Sequence, residues 1–576
     1  MSEQLSKVES DRKLLTDAQQ QGTGALLRAF IRLSGPGWLQ SAITLGGGSL
    51  AGALFLGVLG GTSLLWLQLM AIAMGVVMLS AISYVTLSTG EKPFQAINSH
   101  INPALGWGWL IATCMANMIW CMPQFGLCYA ALKENLAGDS IGDSSQSKLL
   151  VSAVILAAAG FVVLLNQRRG IGAKIFDIFL KALVGMIVVC FFGVVIYLGT
   201  HGHLNWGGIF AGFVPDLNQW NGPTGDLAEL VGSLPAPLQE FWGAKIVKEQ
   251  RAIMIASAAT AVGINMTFLL PYSMLNRGWD KPFRGLARFD LSTGMAIPYI
   301  VVTSCVVIAS AASFHAMIDD SFRSTDPKVM TTSEFFEGAK PFLVARLEHE
   351  IGAETFAAMS GDDQLASIAA LPESEKRIAS SLVRRNAFQL SKALAPLLGE
   401  RNANLVFGIG ICGMGFSTII ILMLINGYAF CEMLGKPQGG TPYVIGCLVS
   451  GLCGAAWPLI WDGPAKLWLA ILTSTFGMML LPIAYVTFFM MMNSSTLMGK
   501  EKLTGGKMLI WNVLMGVSVI GAIIAAGAAV WEKISPILDA NAKSNDVLVG
   551  WVVAGVAGVY IVLVVAGFMT KSKRTS

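Results

Sequence analysis

The feature that most constrains the fold of this chain is a series of long apolar stretches between residues 37 and 569. A membrane-spanning helix needs about 20 mostly apolar residues, and about twelve stretches qualify. They lie at 37–58, 63–87, 107–132, 149–165, 175–199, 252–275, 289–314, 404–431, 442–461, 466–492, 508–531 and 548–569. Only 13% of the residues are charged, against about 25% in soluble domains. The sequence therefore predicts an all-α polytopic membrane protein.

Three adjacent glycines, Gly46, Gly47 and Gly48, interrupt the first apolar stretch just before Ser49. Each glycine costs roughly 1 kcal/mol relative to alanine in a helix interior. Irregular backbone inside a membrane is tolerated where protein or a water-filled cavity satisfies its polar groups. A helix broken at mid-membrane is typical of a transporter's binding site. The alternative is that these glycines let a neighbouring helix pack closely.

A second interruption is predicted in the sixth stretch, where Pro271 lies near several polar residues. Proline removes one helical hydrogen bond and clashes with the preceding turn. Interruptions at corresponding positions of two halves indicate an inverted-repeat transporter, and the alternative is a proline-kinked packing helix. The candidate substrate-binding residues are Gly46, Gly47, Gly48, Ser49, Asn265, Thr267 and Tyr272, with Asn117 and Gln124 as weaker candidates.

The basic residues of the short connections predict the orientation in the membrane. They include Arg168 and Arg169, the cluster at 277–288, the lysines at 500–507 and the tail at 571–574. Such residues stay on the cytoplasmic side, and an even number of spans places all of them together. We therefore expect both termini to be cytoplasmic, in an inner or plasma membrane.

Several segments occur in an order that resembles a known family. Residues 34–39, 170–192, 286–314, 417–432 and 481–499 resemble parts of helices one, five, seven, eight and ten of the Nramp (natural resistance-associated macrophage protein) family of divalent-metal transporters. The resemblance implies a LeuT-type fold, in which two five-helix repeats are inverted and helices one and six are broken. It covers the chain from the first span to about residue 499, apart from the long loops, and the family's polar position on helix ten implies Thr473 and Ser474 as two more weak candidates for the substrate site.

Both metal-ligand motifs of that family are replaced in this chain. The first-helix motif Asp-Pro-Gly-Asn is replaced by Gly46-Gly47-Gly48-Ser49, and the sixth-helix motif Met-Pro-His-Asn by Leu270-Pro271-Tyr272-Ser273. The third span contains no carboxylate, and its polar centres are Asn117 and Gln124. The identity of any metal ligands is therefore left open, and an altered substrate is expected.

The resemblance implies secondary active transport, with Mn- or Fe-type divalent ions as the family's substrates. If metal transport is retained, the candidate donors are Met266, Asn265, Asn117 and Tyr272. An alternative is transport of amino acids or organic anions, because the N-terminus of a half-helix favours an anionic group. A further alternative is a non-transporting sensor or assembly protein. We expect membrane lipid, a small substrate and H⁺ or Na⁺ as partners, and we expect no cofactor, nucleic acid or enzymatic activity.

The same patterns predict the organisation of the chain. The two connections at 200–250 and 315–403 are long, and the second contains helical patches at 341–351 and 380–398. The predicted units are a cytoplasmic segment (1–34), helices one to five (35–199), an external loop (200–250), helices six and seven (251–314), an external insert (315–403), helices eight to ten (404–493), and helices eleven and twelve with a short tail (494–576).

Overall fold

The computed structural model describes residues 2–167, 171–461, 463, 465–539 and 542–575, and Arg168 and Arg169 lie outside these residues. Twelve helices correspond to the predicted spans. They are α1 (Pro36–Thr44 and Gly47–Gly60), α2 (Leu65–Thr89), α3 (Pro103–Ala130), α4 (Ser145–Gln167), α5 (Ile171–Thr200), α6 (Ala236–Ala261 and Ile264–Asn276), α7 (Arg284–Leu291, Ser292–Ala296 and Ile297–Phe314), α8 (Glu400–Met433), α9 (Gly440–Ala455), α10 (Leu469–Asn493), α11 (Gly505–Ile534) and α12 (Ser544–Thr575).

The lengths and compositions of these helices confirm the predicted fold class. In the described ranges, nine of them are long and apolar enough to cross a membrane. Helix α1 joins them as a bent pair, and α5 and α9 contribute shorter apolar helices. The secondary structure of the described residues consists of helices and their connections, without strands. The chain is thus an all-α polytopic membrane protein.

Helix α1 breaks at the predicted glycines. Its first half ends at Thr44, its second half begins at Gly47, and the two halves are bent by 50°. The backbone of Gly46 is extended, with φ −76° and ψ 177°. Because glycine has a weak helix preference, this segment can leave the helix at little cost.

Helix α6 breaks at Val262 and Gly263, so the predicted position at Pro271 was wrong. Val262 has φ −143° and ψ 108°, and Gly263 has φ −85° and ψ 161°. Pro271 instead lies inside the second half, Ile264–Asn276. A membrane helix accommodates a proline because neighbouring groups satisfy the one freed carbonyl. Two consecutive non-helical residues interrupt the hydrogen bonding more completely.

The packing of the helices brings both breaks to the middle of the molecule. The second half of α1 packs against the last part of α7 and the first half of α6. Helix α3 packs extensively against α8, α9 and α10, and α10 also packs against the first half of α6. Helices α11 and α12 lie outside this arrangement, and most of the side chains of α12 are exposed. The broken segments are therefore enclosed on several sides by continuous helices.

The segment at 315–403 folds into short helices. The patch at 341–351 lies within the helix Phe336–Ile351, whereas the patch at 380–398 is divided. Its residues are distributed over the helices Glu373–Leu382, Ala387–Ser391, Lys392–Leu394 and Ala395–Leu398. The division occurs where Asn386 caps a new helix in a reciprocal pair of hydrogen bonds with Gln389, which is a common helix start.

A buried charged network attaches this segment to the start of α6. Glu375 accepts hydrogen bonds from the Nε of Arg346 at 2.6 Å and from the indole N–H of Trp242 at 2.8 Å. All three side chains are buried. Buried charges are stable only when they are paired and hydrogen-bonded, so this contact fixes the segment on the helical core.

Candidate substrate-binding cavity

A small cavity lies where the breaks of α1 and α6 meet. Its volume is about 50 Å³, counted as the space open to the centres of water-sized spheres. One water needs about 10–15 Å³ on that measure, so the cavity has room for a few waters or a small, partly hydrated ion. Its polar lining consists of Ser49, Gln124, Thr260, Asn265, Thr418, Thr473 and Ser474, and Gly46, Gly48, Gly263 and Met266 also contribute.

The two breaks are held together by side chains that satisfy freed backbone groups. The hydroxyl of Ser49 donates to the carbonyl of Thr260 at 3.2 Å. An unbroken helix would supply the amide of Ile264 to that carbonyl, but the break at Val262 and Gly263 intervenes. Ser49 therefore acts as a cap between the two helices, which explains a hydroxyl directly after the glycines.

A second contact between the breaks involves Met266. The hydroxyl of Thr44 is 3.5 Å from the sulfur of Met266, and the carbonyl of Gln40, at 3.1 Å, is a second acceptor for the same proton. At the start of the second half of α6, the side-chain oxygen of Asn265 accepts from the amide of Met266 at 2.9 Å. The contact with Thr44 and the hydrogen bond to the Met266 amide thus position the side chains of Met266 and Asn265 at the cavity wall.

Two buried polar atoms of the lining have no hydrogen-bond partner in the part of the chain that the structure describes. They are the Oε1 of Gln124 and the Nδ2 of Asn265. A buried polar group without a partner costs about 1–3 kcal/mol. Both residues line the cavity, so these two atoms are its unused hydrogen-bonding capacity.

The cavity lining contains no charged side chain among the described residues. Among the residues that the structure describes, no three or more His, Cys, Asp or Glu side chains are grouped so that they could hold a metal ion. The fixed charges that remain are those of the helix ends. Helices carry about half a positive charge at the N-terminus and half a negative charge at the C-terminus, and each break presents one end of each sign.

The structure brings seven of the sequence candidates to the cavity wall and places four elsewhere. Gly46, Gly48, Ser49, Gln124, Asn265, Thr473 and Ser474 line the cavity. Gly47 lies beside it, where an ideal Cβ would be 2.5 Å from Leu127 Cδ1 and 2.9 Å from Gln124 Oε1. A side chain at position 47 would therefore displace Gln124, which lines the cavity.

Thr267, Tyr272 and Asn117 do not line the cavity. The hydroxyl of Thr267 accepts from the indole N–H of Trp109 at 2.9 Å, so this residue joins α6 to α3. The ring of Tyr272 stacks on Phe268 with centroids 4.3 Å apart. Asn117 is buried on α3. These three residues lie close to the breaks in sequence, but their side chains lie outside the cavity lining.

Thr260, Gly263 and Thr418 line the cavity and were not among the sequence candidates. Gly263 was detectable, because a glycine within an apolar stretch followed by a polar residue is a helix-breaking signal. Thr418 lies on α8, and an ideal Cβ on Gly46 would be 2.6 Å from its Oγ1. Its contact with α1 arises from packing across the molecule and has no local sequence signal.

The first half of α1 is positioned by a carboxylate from α7. Asp290 is buried and accepts from the amide of Gly37 at 2.6 Å and from the amide of Gly35 at 3.1 Å. A carboxylate at a helix N-terminus satisfies free N–H groups and favours the helix dipole. Asp290 therefore fixes the end of the half-helix that leads to the cavity.

Comparisons with known proteins agree with this architecture. A family model described as natural resistance-associated macrophage protein-like matches residues 37–334 and 369–532. A curated relative, metal transporter Nramp6.2 of Populus trichocarpa, is 25% identical over 238 residues, which are 41% of this chain and 40% of that protein. The match thus spans less than half the length of that relative.

Solved structures of the manganese transporter of Eremococcus coleocola share the fold. A mutant of that transporter matches with a TM-score of 0.60 and 16% identity, over 94% of this chain and 95% of the other. Its complex with an aromatic bis-isothiourea substituted compound matches with a TM-score of 0.61 and 15% identity, over 95% and 96% of the two chains.

Proposed function

The chain belongs to the Nramp family, and from this membership and the cavity we propose that it carries a divalent metal cation across a membrane. The observation that carries the proposal is the small polar cavity at the meeting point of two broken helices. Broken helices that meet near the middle of a transporter form its substrate site. Two of the similar proteins are a metal transporter and a manganese transporter, which supports this substrate class. In this proposal the chain is a transporter and not an enzyme.

The size of the cavity supports an ion as the substrate. A space of about 50 Å³ corresponds to only a few water positions, which suits one ion and some of its waters. Most amino acids and organic anions have more heavy atoms than this space admits. The half-helix N-termini at Gly47 and Ile264 would favour an anion, so anion transport is the second candidate.

The donor set supports an ion that keeps part of its hydration shell. Gln124 Oε1 and the hydroxyls of Ser49, Thr418 and Thr473 are neutral oxygen donors at the wall. Hard cations such as Mg²⁺, Ca²⁺ and Mn²⁺ prefer oxygen ligands. Because a carboxylate would be needed to replace water strongly, we propose that the substrate differs in hydration from that of relatives with charged ligands.

In the proposed orientation the protein lies in an inner or plasma membrane, with both termini in the cytoplasm. Glu501 pairs with Lys281 at 2.8 Å and with Arg284 at 2.5 Å. The basic connections at 277–288 and 500–507 therefore lie on the same side of the molecule, as the positive-inside rule requires. We propose H⁺ or Na⁺ as the coupling ion and lipid as the surrounding partner.

The test is uptake into proteoliposomes, with Gln124→Leu and a matched control. The full chain is reconstituted and supplied with Mn²⁺, Mg²⁺ or Ca²⁺. Gln124→Leu removes an oxygen donor at the cavity and should lower uptake about tenfold, which corresponds to about 1.4 kcal/mol. Gln68→Leu is the control, because Gln68 is also buried with an Oε1 that has no partner among the described residues but lies outside the cavity lining.

The outcomes separate the alternatives. Saturable metal uptake that falls in Gln124→Leu and in Asn265→Ala supports metal transport through the cavity. Saturable uptake of amino acids or organic acids, without uptake of metals, would instead establish the anion alternative. An absence of flux for every substrate, together with a protein partner that is lost when 315–403 is deleted, would overturn transport in favour of a sensor or assembly protein.

A further inference from the structure

His315 lies directly after α7 and joins two separate parts of the molecule. Its Nδ1 is 3.1 Å from the carbonyl of Val58 in α1, and its Nε2 is 3.0 Å from the amide of Asp226. Asp226 begins the short helix Asp226–Gly232 in the long connection between α5 and α6. His315 is 7% exposed, so these contacts replace most of the hydration of its ring.

The hydrogen bonds define the protonation state of this histidine. The amide of Asp226 can only donate, so Nε2 must carry a lone pair, and the carbonyl of Val58 can only accept, so Nδ1 must carry the proton. A neutral imidazole has one donor and one acceptor nitrogen, whereas the charged ring has two donors. The observed contacts therefore fit only the neutral ring.

The surrounding backbone is shaped to the ring. Gly61 and Gly225 both have φ of 58°, a region that L-residues with a side chain rarely adopt. An ideal Cβ would lie 2.9 Å from the ring at Gly61 and 2.6 Å from Nε2 at Gly225. On the other side, the carbonyl of Ala316 accepts from Arg377 at 2.6 Å. The ring is thus enclosed by α1, by the connection and by the segment after α7.

We propose that His315 is a pH-sensitive latch, which holds the connection at Asp226 against the end of α1 and releases it when the ring gains a second proton. Protonation at Nε2 would place two N–H donors against each other at 3.0 Å. The contact with Asp226 must then break, whereas the contact between Nδ1 and Val58 remains. Leu227, directly after Asp226, is buried in the same apolar core as α1, so the release is confined to the backbone around the Asp226 amide.

A second, larger cavity borders His315 and can supply it with water and protons. The cavity has a volume of about 580 Å³ on the water-centre measure and is lined by His315, His203, Asp216 and Asp226, among others. The charged groups that face the ring are Asp226, which favours the cation, and Arg377, which opposes it. Burial, the largest effect, lowers the pKa of His315 below its usual 6.5.

The direction and size of the pH effect follow from this shift. In the released state the ring is hydrated and has an ordinary pKa of about 6.5, whereas in the latched state its pKa is lower. The latch therefore has its full strength above about pH 6.5 and weakens as the pH falls below that value. Because release takes up one proton, the population of the released state rises up to about tenfold per pH unit in this range.

Hydrogen exchange of the full-length chain in nanodiscs tests the latch without measuring transport. The readout is the protection of the peptide that contains the Asp226 amide, measured between about pH 7.5 and about pH 5.5 and corrected for intrinsic exchange. The expected result is protection that is constant above pH 6.5 and falls up to about tenfold over the next unit. Protection that does not change with pH in the unmodified chain would overturn the proposal.

Two variants assign the effect to this ring. His315→Gln keeps one donor and one acceptor at every pH, so the pH dependence of protection at Asp226 should disappear. His203→Gln is the control, because His203 is exposed and lines the same cavity, and the pH dependence should persist. A pH dependence that survives in His315→Gln would refute the assignment, whether or not the protein transports metals. If His315→Gln does not fold, the pH profile of the unmodified chain decides the matter alone.

Discussion

The three glycines of the first break differ in the space around them, and we therefore expect a different effect from a substitution at each position. An ideal Cβ on Gly46 would be 2.6 Å from Thr418 Oγ1 and 2.9 Å from the carbonyl of Ile43. On Gly47 it would be 2.5 Å from Leu127 Cδ1 and 2.9 Å from Gln124 Oε1. On Gly48 the nearest atoms are 3.7 Å and 3.8 Å away, which is an ordinary contact.

These distances give the sign and size of each effect on stability. Extra atoms in a packed site cost about 1–3 kcal/mol, whereas glycine to alanine within a helix gains about 0.5–1 kcal/mol. Gly46→Ala lies outside the helix and meets a backbone carbonyl, so it should be destabilising by about 1–3 kcal/mol. Gly48→Ala lies in the helix without a clash and should be stabilising by up to about 1 kcal/mol.

At Gly47 a substitution should lower uptake but leave the stability of the fold nearly unchanged. A methyl group there displaces the ends of Leu127 and Gln124, which are side chains that can move. The fold should survive, but Gln124 Oε1 would leave its place at the cavity. We expect Gly47→Ala to lower uptake about tenfold, the equivalent of about 1.4 kcal/mol, and Gly47→Leu to abolish it.

The assay combines thermal unfolding in nanodiscs with uptake into proteoliposomes. Gly160→Ala is the matched control, because Gly160 is a helical glycine of α4 with no atom within 4 Å of an ideal Cβ. Uptake by Gly47→Leu at the rate of the unmodified chain would refute the role of this break. A Gly46→Ala variant that is more stable than the unmodified chain would refute the packing argument.

Two further predictions concern the positioning of the helices. Asp290→Ala removes the acceptor of the Gly35 and Gly37 amides and should lower the free energy of unfolding by about 1–3 kcal/mol, whereas Asp290→Asn should cost less; denaturant unfolding measures both. Glu375→Gln removes the buried charge that faces Arg346 but leaves Arg346 paired with Glu350, so it should destabilise by about 1–3 kcal/mol, and limited proteolysis of 315–403 should show the weakened attachment. Unchanged stability in either variant would contradict the assigned contact.

The sequence predicted the spans because the membrane imposes the same requirement on each of them. A helix that crosses lipid must be apolar over its whole length, so the composition of each stretch was sufficient. The break at Gly46 was predicted for a similar reason, because three glycines weaken a helix regardless of its surroundings.

The position of the second break depended on information that the sequence did not provide. Pro271 is the stronger helix breaker by intrinsic propensity, yet the chain is helical around it and breaks at Gly263 instead. The hydroxyl of Ser49 reaches across from α1 to satisfy the carbonyl of Thr260 at that point. Tertiary contacts therefore decided between two local signals.

The same limit explains which candidate residues came together. Asn265 and Thr267 are two positions apart, and in a helix this separation turns their side chains to different faces. Asn265 therefore faces the cavity, whereas Thr267 faces Trp109 of α3. The sequence predicted the part of α1 that lines the cavity. In α6 the break lies at Gly263 and not at Pro271, so different residues of that helix surround the cavity.

The neutral lining gives a physical reason for a hydrated substrate in the proposed function. An ion in the cavity meets two helix C-termini and two helix N-termini, and their opposite partial charges nearly cancel. Net attraction for a cation must therefore come from individual oxygen atoms, and Gln124 Oε1 is the side-chain oxygen without a partner among the described lining residues. Because this amide oxygen and the hydroxyls of Ser49, Thr418 and Thr473 are neutral, they replace only part of a hydration shell, and water supplies the rest. Discrimination among divalent ions would then depend on how readily each ion releases one or two waters, and less on a preference for sulfur, since Met266 supplies the only sulfur among the described lining residues.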